Sequence, residues 1–186
     1  AVGGSNVFHG APWLMSAAAL KTGIDLVFLF TPKEVAVSIR SLSPNLIVIP
    51  FDAPTLRPGV LGNITPYLEK VDVMAIGPGL GLAPETKEAV ERLVEMALDK
   101  GVKIVMDADA LKTRAPHMIH KRGHVVLTPH AGEYRIMMGE PPPEYGPGNL
   151  EARINAVKTA ASRLNSVILL KGHYDFISDG ERVKIC

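Results

Sequence analysis

Cysteine is almost absent from this sequence, which has a single residue of that type, Cys186, among 186. One cysteine excludes an internal disulfide framework and is typical of the reducing cytoplasm. Long apolar runs are missing as well, since the longest one near the start, Ala11 to Leu20, has about half the length of a membrane-crossing helix. A basic signal-peptide leader is also missing. These absences predict a soluble, cytoplasmic protein without a membrane partner.

The sequence also lacks an excess of charge of either sign. Its formal net charge is +1, and its Lys and Arg residues are scattered, so nothing indicates nucleic acid as a partner. Internal repeats and low-complexity tracts are missing too. A hydrophobic content of 47% with 21% charged residues is ordinary globular composition. The length suits a single α/β domain over residues 1–186.

Familiar catalytic signatures are missing. The sequence has no Cys and His cluster with metal-ligand spacing, no G-x-S-x-G elbow and no Walker sequence G-x-x-x-x-G-K-[ST]. No metal site is therefore predicted, and the reaction stays open at this level.

What is present is an alternation of helical patterns with short, continuous apolar strands. The predicted strands are Leu26–Phe30, Leu46–Ile49, Val73–Ile76, Val102–Met106, His124–Leu127 and Val167–Leu170, and the predicted helices include Ala11–Lys21, Lys33–Ile39, a long one from Pro84 and one along Leu150 to Leu164. Phe176–Ile177 and Val183–Ile185 flank Asp179-Gly180, a strong hairpin signal. This pattern predicts an α/β fold with a mostly parallel sheet, helices on both faces and a late antiparallel hairpin.

Local signals predict how individual elements begin, end and pack. The first helix is apolar nearly all round and is expected to be buried against the sheet. Thr31-Pro32 is expected to cap the second helix, and Pro50 to end the next strand. Val73–Ile76 is expected to be buried on both faces. The segments from Phe51 to Ile64 and from Pro141 to Gly148 are predicted to be irregular.

Both ends of the sequence look like interrupted strands. Ala1 to Ser5 has the pattern of a strand end and the turn after it, and the sequence closes at Val183 to Cys186 within another strand-like segment. A strand cut at either place would be too short to pair well. We therefore expect a fragment of a longer domain, incomplete at both ends.

The first strand end with notable chemistry is Gly77-Pro-Gly-Leu-Gly81. Ligands of open α/β sheets bind beyond the carboxyl ends of the strands, and glycine lets the backbone approach a ligand closely. The spacing is G-x-G-x-G and not the G-x-G-x-x-G of dinucleotide-binding folds. Ligand contact is favoured, and a tight turn that needs glycine for its geometry is the alternative.

Carboxylates and a histidine follow the next two strands. A helix cap is favoured for Asp107, whereas a cap and ligand contact are equally open for Asp109. The next helix is expected to start at Thr128-Pro129, which would place His130 in its first turn near free backbone N–H groups that suit an anionic ligand. Ligand contact is favoured for His130. Glu133 either caps the helix or pairs with a Lys or Arg.

Lys171 and Gly172 end the last strong strand. A lysine there can meet a phosphate as a point charge, while the glycine leaves room. A solvated lysine explains the same dipeptide equally well. The strand ends together predict a sheet edge suited to phosphate.

Five stretches taken in order carry a resemblance to one family. They are Gly3-Gly4-Ser5 with Gly10-Ala11-Pro12, Gly77-Pro-Gly-Leu-Gly81, Asp107-Ala-Asp-Ala-Leu111, Leu127-Thr-Pro-His-Ala-Gly-Glu133 and Leu170-Lys-Gly-His-Tyr-Asp175. Each stretch is weak alone, but the ordered set is specific and spans essentially the whole chain. The sequence resembles the ADP/ATP-dependent NAD(P)H-hydrate dehydratases of the ribokinase-like superfamily.

The resemblance implies a three-layer α/β/α fold and a metabolite-repair lyase. Such enzymes remove water from hydrated NADH or NADPH with ADP or ATP, and Mg²⁺ is an optional companion of the nucleotide. The hydroxyl is phosphorylated, and phosphate is then eliminated. A homo-oligomer is expected. The residues that the resemblance assigns to the hydrated substrate are Ala11, Gly79, Gly81, His130, Ala131, Gly132 and Glu133, and those for the adenine nucleotide are Lys171, Gly172, His173, Tyr174 and Asp175.

One part of the family pattern is missing from the 186 residues. The family continues beyond the hairpin into a segment ending Gly-Gly-Thr-Gly-Asp, whose glycines form an anion hole and whose Asp is the expected catalytic base. We therefore expect the catalytic residue beyond Cys186 and an inactive chain without it. A small-molecule kinase of the same superfamily and a non-catalytic nucleotide-binding module are the alternatives. A Rossmann dehydrogenase is disfavoured by the G-x-G-x-G spacing.

Overall fold

Residues 1–146 and 148–186 are described in the computed structural model of the protein. The helices in this part of the chain are α1 (Gly10–Lys21), α2 (Lys33–Arg40), α3 (Pro84–Asp99), α4 (Ala131–Met138) and α5 (Leu150–Arg163). The strands are β1 (Phe28–Pro32), β2 (Ile47–Phe51), β3 (Val73–Ile76), β4 (Lys103–Met106), β5 (Val125–Leu127), β6 (Val167–Leu170), β7 (Phe176–Ser178) and β8 (Val183–Ile185). The predicted irregular segment Pro141–Gly148 includes position 147, which lies outside the described residues.

The strands form a mostly parallel sheet. β1 and β2 pair in parallel, and Val2 joins them to the remaining strands through parallel bridges to Phe30 of β1 and Ile76 of β3. β3, β4, β5 and β6 follow one another in parallel, and β7 and β8 are antiparallel. The predicted α/β class with a late antiparallel hairpin is therefore confirmed.

Helices lie on both faces of the sheet, as predicted, but they cover the two faces unevenly. Met74 and Ile76 of β3 are buried in the main core together with residues of α3 and α5. Ala75 is only half-buried and Val73 is 50% exposed. Successive residues of a strand face opposite sides, so the second face of β3 is open. The prediction that this strand is buried on both faces is wrong, because α1 and α2 pack over β1 and β2 instead.

Helix α1 uses only one side for packing. Trp13, Ala19 and Leu20 lie against the smaller core that β1, β2 and α2 form, whereas Leu14 is 67% exposed. The predicted contact of this helix with the sheet is therefore present, since β1 lies against it, although its other side stays exposed. No helix of the described residues, α1 included, combines the length and apolar character needed to cross a membrane.

The first two strands run further than their apolar patterns predict. Thr31 lies within β1 opposite Pro50 of β2, and no side chain caps the start of α2. The predictions that Thr31-Pro32 caps α2 and that Pro50 ends its strand are therefore wrong. A proline is tolerated in β2 because this strand lies at the edge of the sheet.

Helix α3 agrees with its predicted pattern. Its buried residues are Thr86, Ala89, Val90, Leu93, Val94, Ala97 and Leu98. Gly101, which has a φ of +75°, follows the helix in the left-handed conformation. The chain then turns directly into β4, with the Val102 backbone N–H donating to the Ala97 carbonyl at 2.9 Å.

Replacement of Gly77 by alanine tests the tightest backbone contact at the end of β3. A Cβ at this position would lie 1.8 Å from the Asp107 carbonyl oxygen, and the φ of +130° is unfavourable for other residues. We expect Gly77→Ala to lower the free energy of unfolding by more than about 3 kcal/mol, as measured by urea denaturation. Gly59→Ala is the matched control because a Cβ there meets nothing within 4 Å. Equal losses in the two variants would contradict the contact.

Candidate functional site

The carboxyl ends of β3, β4, β5 and β6 lie side by side at one edge of the sheet. The segments that follow these strands are Gly77–Gly81, Asp107–Asp109, Thr128–His130 and Lys171–Asp175. A bridge between His130 and Lys171 continues the parallel pairing beyond β5 and β6. The four predicted strand-end segments are thus neighbours in space.

The glycine turn after β3 packs tightly against the protein itself. A Cβ at Gly79 would lie 2.9 Å from the Cβ and the carbonyl oxygen of Phe8, and the Gly4 backbone N–H donates to the Pro78 carbonyl at 2.9 Å. The protein therefore needs glycine at position 79 for its own packing. A Cβ at Gly81, by contrast, would meet nothing within 4 Å. Gly81 is the place where this turn is open to a ligand, and substrate contact at both glycines stays a prediction.

Ala11 lies near this turn. It is half-buried at the start of α1, and the next residue, Pro12, packs against Gly4, where a Cβ would lie 2.9 Å from the proline ring. Since Gly4 also bonds to the glycine turn, the start of α1 and the turn after β3 belong to one wall of the site.

Asp109 holds the glycine turn in place. Its Oδ2 accepts a hydrogen bond from the Gly81 backbone N–H at 2.9 Å, and its Oδ1 lies 3.0 Å from the Lys112 Nζ. The Asp109 side chain is 15% exposed. The carboxylate therefore positions the turn that a ligand would meet at Gly81.

Asp107 makes an ion pair across the sheet edge. Its Oδ1 lies 2.7 Å from the Nζ of Lys171, which reaches past β5 to the end of β4. The carboxylate caps no helix, so the helix-cap interpretation is wrong. An ammonium group has three N–H donors, and the pair uses one of them. Lys171 is thus held in position with donors left for a ligand.

His130 is the N-cap of α4, which begins at Ala131 and not at Thr128 as predicted. The imidazole Nδ1 accepts hydrogen bonds from the backbone N–H groups of Gly132 at 3.0 Å and Glu133 at 3.4 Å. The prediction that these N–H groups are free is therefore wrong. Because Nδ1 is an acceptor, a neutral imidazole carries its proton on Nε2. The Nε2 atom of the half-exposed ring lies 3.4 Å from the Glu133 Oε1, so a ligand oxygen would share this proton with that carboxylate.

Glu133 makes the second hydrogen bond of this helix cap. Its Oε2 accepts the His130 backbone N–H at 3.0 Å, and its side chain is 5% exposed. Of the two options left open for Glu133, the structure shows the helix cap. Ala131 and Gly132 are exposed beside it. Glu133 thus lies behind His130 and fixes the orientation of the backbone there.

The run Lys171–Asp175 folds into a tight turn. The Lys171 backbone N–H donates to the Pro129 carbonyl at 2.8 Å, and the Gly172 N–H donates to the Asp175 Oδ1 at 3.0 Å. Lys171, His173 and Tyr174 project from this turn, and the last two rings lie 4.9 Å apart in an edge-to-face arrangement. The carboxylate of Asp175 shapes the turn.

Comparison with known proteins identifies the family. A family model described as NAD(P)H-hydrate dehydratase matches residues 1–186. The ADP-dependent (S)-NAD(P)H-hydrate dehydratase of Nitrosopumilus maritimus is 41% identical over 180 residues, which cover 96% of this chain and 60% of that enzyme. The chain belongs to the NAD(P)H-hydrate dehydratase family.

Two solved structures share the fold of this dehydratase-family chain. A ribokinase-like superfamily protein of Enterococcus faecalis aligns with a TM-score of 0.77 at 21% identity, over 99% of this chain and 60% of that protein. The ADP/ATP-dependent NAD(P)H-hydrate dehydratase of Bacillus subtilis, co-crystallised with ATP and Mg²⁺ and soaked with CoA, aligns with a TM-score of 0.68 at 22% identity, over 99% and 63%. The chain thus spans about three fifths of each of these relatives.

Sequence reasoning missed two residues beside this dehydratase-family site, Arg153 and Tyr145. Arg153 is 6% exposed, and its Nη1 donates to the Pro143 carbonyl. Burial lowers the pKa of its guanidinium. The Tyr145 ring lies 5.0 Å from that of Tyr174. Position 153 lies three residues after Leu150 and four before Val157, so it shares the side of α5 that carries these apolar residues. This helical spacing was the sequence signal that the arginine is buried.

Metal binding by side chains alone has no support in this part of the chain. No three His, Cys, Asp or Glu side chains among residues 1–146 and 148–186 gather closely enough to hold an ion. Any Mg²⁺ at this edge would therefore depend on oxygens that a ligand supplies.

Replacement of Asp109 tests its role in holding the glycine turn. Asp109→Ala leaves the Gly81 N–H without its partner and should lower the free energy of unfolding by about 1–3 kcal/mol. Asp109→Asn keeps an acceptor oxygen and should lose less. Urea denaturation measures both values. An alanine variant as stable as the wild type would show that the turn does not depend on this carboxylate.

Proposed function

We propose that this chain carries the substrate- and nucleotide-binding part of a dehydratase that restores hydrated NADH or NADPH with ADP or ATP. The observation that carries the proposal is the backbone bridge between His130 and Lys171. It places the residues expected at the substrate next to those expected at the nucleotide. Phosphoryl transfer needs this proximity, because its catalysis rests on positioning and charge stabilisation.

The geometry supports separate tasks for the two residues. The Lys171 ammonium, held by Asp107, offers positive charge to the phosphates of the nucleotide. His130, fixed as a helix cap, offers an Nε2 proton to an oxygen of the substrate. Gly81 leaves open space in the turn after β3. These groups are preorganised, so little ordering is needed when the ligands bind.

The proposed reaction has two steps. The hydroxyl oxygen of the hydrate attacks the terminal phosphorus of the nucleotide, its proton passes to a base, and the shortened nucleotide leaves. The C–O bond then breaks, phosphate departs with the electron pair, and loss of a neighbouring proton restores the ring double bond. We propose that the base is the Asp of the family's Gly-Gly-Thr-Gly-Asp segment. Mg²⁺ would supply positive charge to the phosphate oxygens, and Asp107 is a carboxylate at this sheet edge that could help to hold it.

Family membership and the names of relatives support this proposal. The Nitrosopumilus relative is an ADP-dependent dehydratase, and the Bacillus structure was obtained with ATP and Mg²⁺. The choice between ADP and ATP, the preference for NADH or NADPH hydrate, and a homo-oligomeric assembly remain predictions.

Removal of the Lys171 charge tests the nucleotide half of the proposal. In the protein expressed from its complete reading frame, Lys171→Met should weaken ADP or ATP binding by roughly tenfold or more, because a charged hydrogen bond is lost. Isothermal titration measures the affinity, and the rise in reduced-nicotinamide absorbance measures turnover of the hydrate. Lys184→Met, which changes an exposed lysine on β8, is the control. Unchanged nucleotide affinity in Lys171→Met, or no turnover of either hydrate by the wild type, would contradict the proposal.

Replacement of His130 tests the substrate half. Asparagine is a good N-cap, so His130→Asn should keep α4 intact while the Nε2 donor is lost. We expect the KM for the hydrate to rise about tenfold or more with nucleotide affinity unchanged. His130→Ala should show the same rise and also lose about 1 kcal/mol of stability. If His130→Asn has the kinetics of the wild type, His130 caps α4 and does not bind the substrate.

A further inference from the structure

A pair of tyrosine rings forms a half-exposed aromatic surface, and one of them, Tyr174, follows Lys171 by three residues in the sequence. Tyr145 is 50% exposed and Tyr174 is 42% exposed, and their ring centroids lie 5.0 Å apart. His173 extends the surface with its ring edge-to-face on Tyr174. Exposed aromatic rings that cluster in this way are typical of surfaces that bind planar ligands.

The aromatic surface packs on a buried phenylalanine. Below it, the fully buried Phe176 ring lies 6.3 Å from that of Tyr145. The Arg153 guanidinium lies 5.2 Å from the Phe176 ring and donates to the Pro143 carbonyl. Among the described residues no carboxylate pairs with Arg153, and its buried Nε has no hydrogen-bond partner. The guanidinium therefore joins the loop that carries Tyr145 to the strand that follows Tyr174.

We propose that Tyr145 and Tyr174 form the seat on which the adenine base of the nucleotide stacks. This inference rests on the proposed function and adds Tyr145, from the segment before α5, to the residues expected at the nucleotide. The turn at Gly172 brings Tyr174 back beside it, since a Cβ at Gly172 would lie 3.2 Å from the Tyr174 carbonyl oxygen. Three residues span at most about 10 Å, a reach comparable to that of a nucleoside diphosphate from base to terminal phosphate.

Stacking explains why the exposed groups are rings. An aliphatic side chain would cover Phe176 equally well, whereas a π face also attracts a planar base. The location on a loop and a hairpin turn allows the base to approach from solvent. The phosphates would then extend toward Lys171, where the positive charge lies.

Leucine replacements separate stacking from simple coverage of Phe176. Tyr145→Leu with Tyr174→Leu keeps apolar volume but removes both π faces, and Tyr145→Phe with Tyr174→Phe keeps the rings as the matched control. In the protein from its complete reading frame, isothermal titration with ADP should show a Kd raised roughly tenfold or more in the leucine variant and within about twofold of wild type in the phenylalanine variant. Inorganic tripolyphosphate, which has no base, should bind all three proteins equally.

Each outcome decides the inference separately from the proposed function. Wild-type ADP affinity in the leucine variant would contradict stacking on these two rings, even if the wild-type protein turns over the hydrate. A raised KM for the hydrate with unchanged ADP affinity also overturns it, since the rings would then serve the other ligand. Loss of tripolyphosphate binding in the double leucine variant would show that the turn Lys171–Asp175 is disturbed. The ADP affinity of the single variant Tyr145→Leu, which leaves that turn unchanged, would then test the stacking. A ring-dependent ADP affinity without turnover of any hydrate supports the seat and contradicts the dehydratase.

Discussion

Asp107 joins three strand ends, and the geometry of the candidate site depends on it. Its backbone N–H donates to the Ile76 carbonyl at 3.1 Å, its carbonyl oxygen lies where a Cβ on Gly77 would clash, and its carboxylate pairs with Lys171 at 2.7 Å. These contacts involve β3, β4 and β6. The residue that directly follows β4 therefore sets the distance between the glycine turn and the lysine.

Most polar groups at this edge are already satisfied by the protein. The first N–H groups of α4 bond to His130, the Gly81 N–H bonds to Asp109, and the Gly172 N–H bonds to Asp175. Hydrogen bonds of this kind within the protein lower the free-energy cost of keeping polar groups at a partly buried edge. It also leaves few groups for ligands, chiefly the remaining Lys171 donors and the His130 Nε2, which lies 3.4 Å from the Glu133 Oε1. The backbone at this edge is thus held by the protein's own hydrogen bonds.

Local patterns predicted the elements well and their packing less well. The strands Val73–Ile76 and Val167–Leu170 appear with the predicted bounds, and the helix α3 starts at Pro84 as predicted, because apolar runs and Pro84 act within a few residues. The role of Pro50 depends on β2 being an edge strand, which local sequence does not reveal. The wrong cap for Asp107 has a similar cause, since its partner Lys171 is 64 residues away in the sequence.

The sequence by itself determined the α/β class, the succession of strands and helices along the chain and the family, because apolar periodicity and ordered short motifs are local signals. The tertiary structure alone decided which groups meet: Lys171 with Asp107, His130 with the backbone of its own helix, and Tyr145 with Tyr174. The physical reason is that these contacts depend on strand register and on loops closing across the sheet edge, and a side chain's type does not specify its distant neighbour.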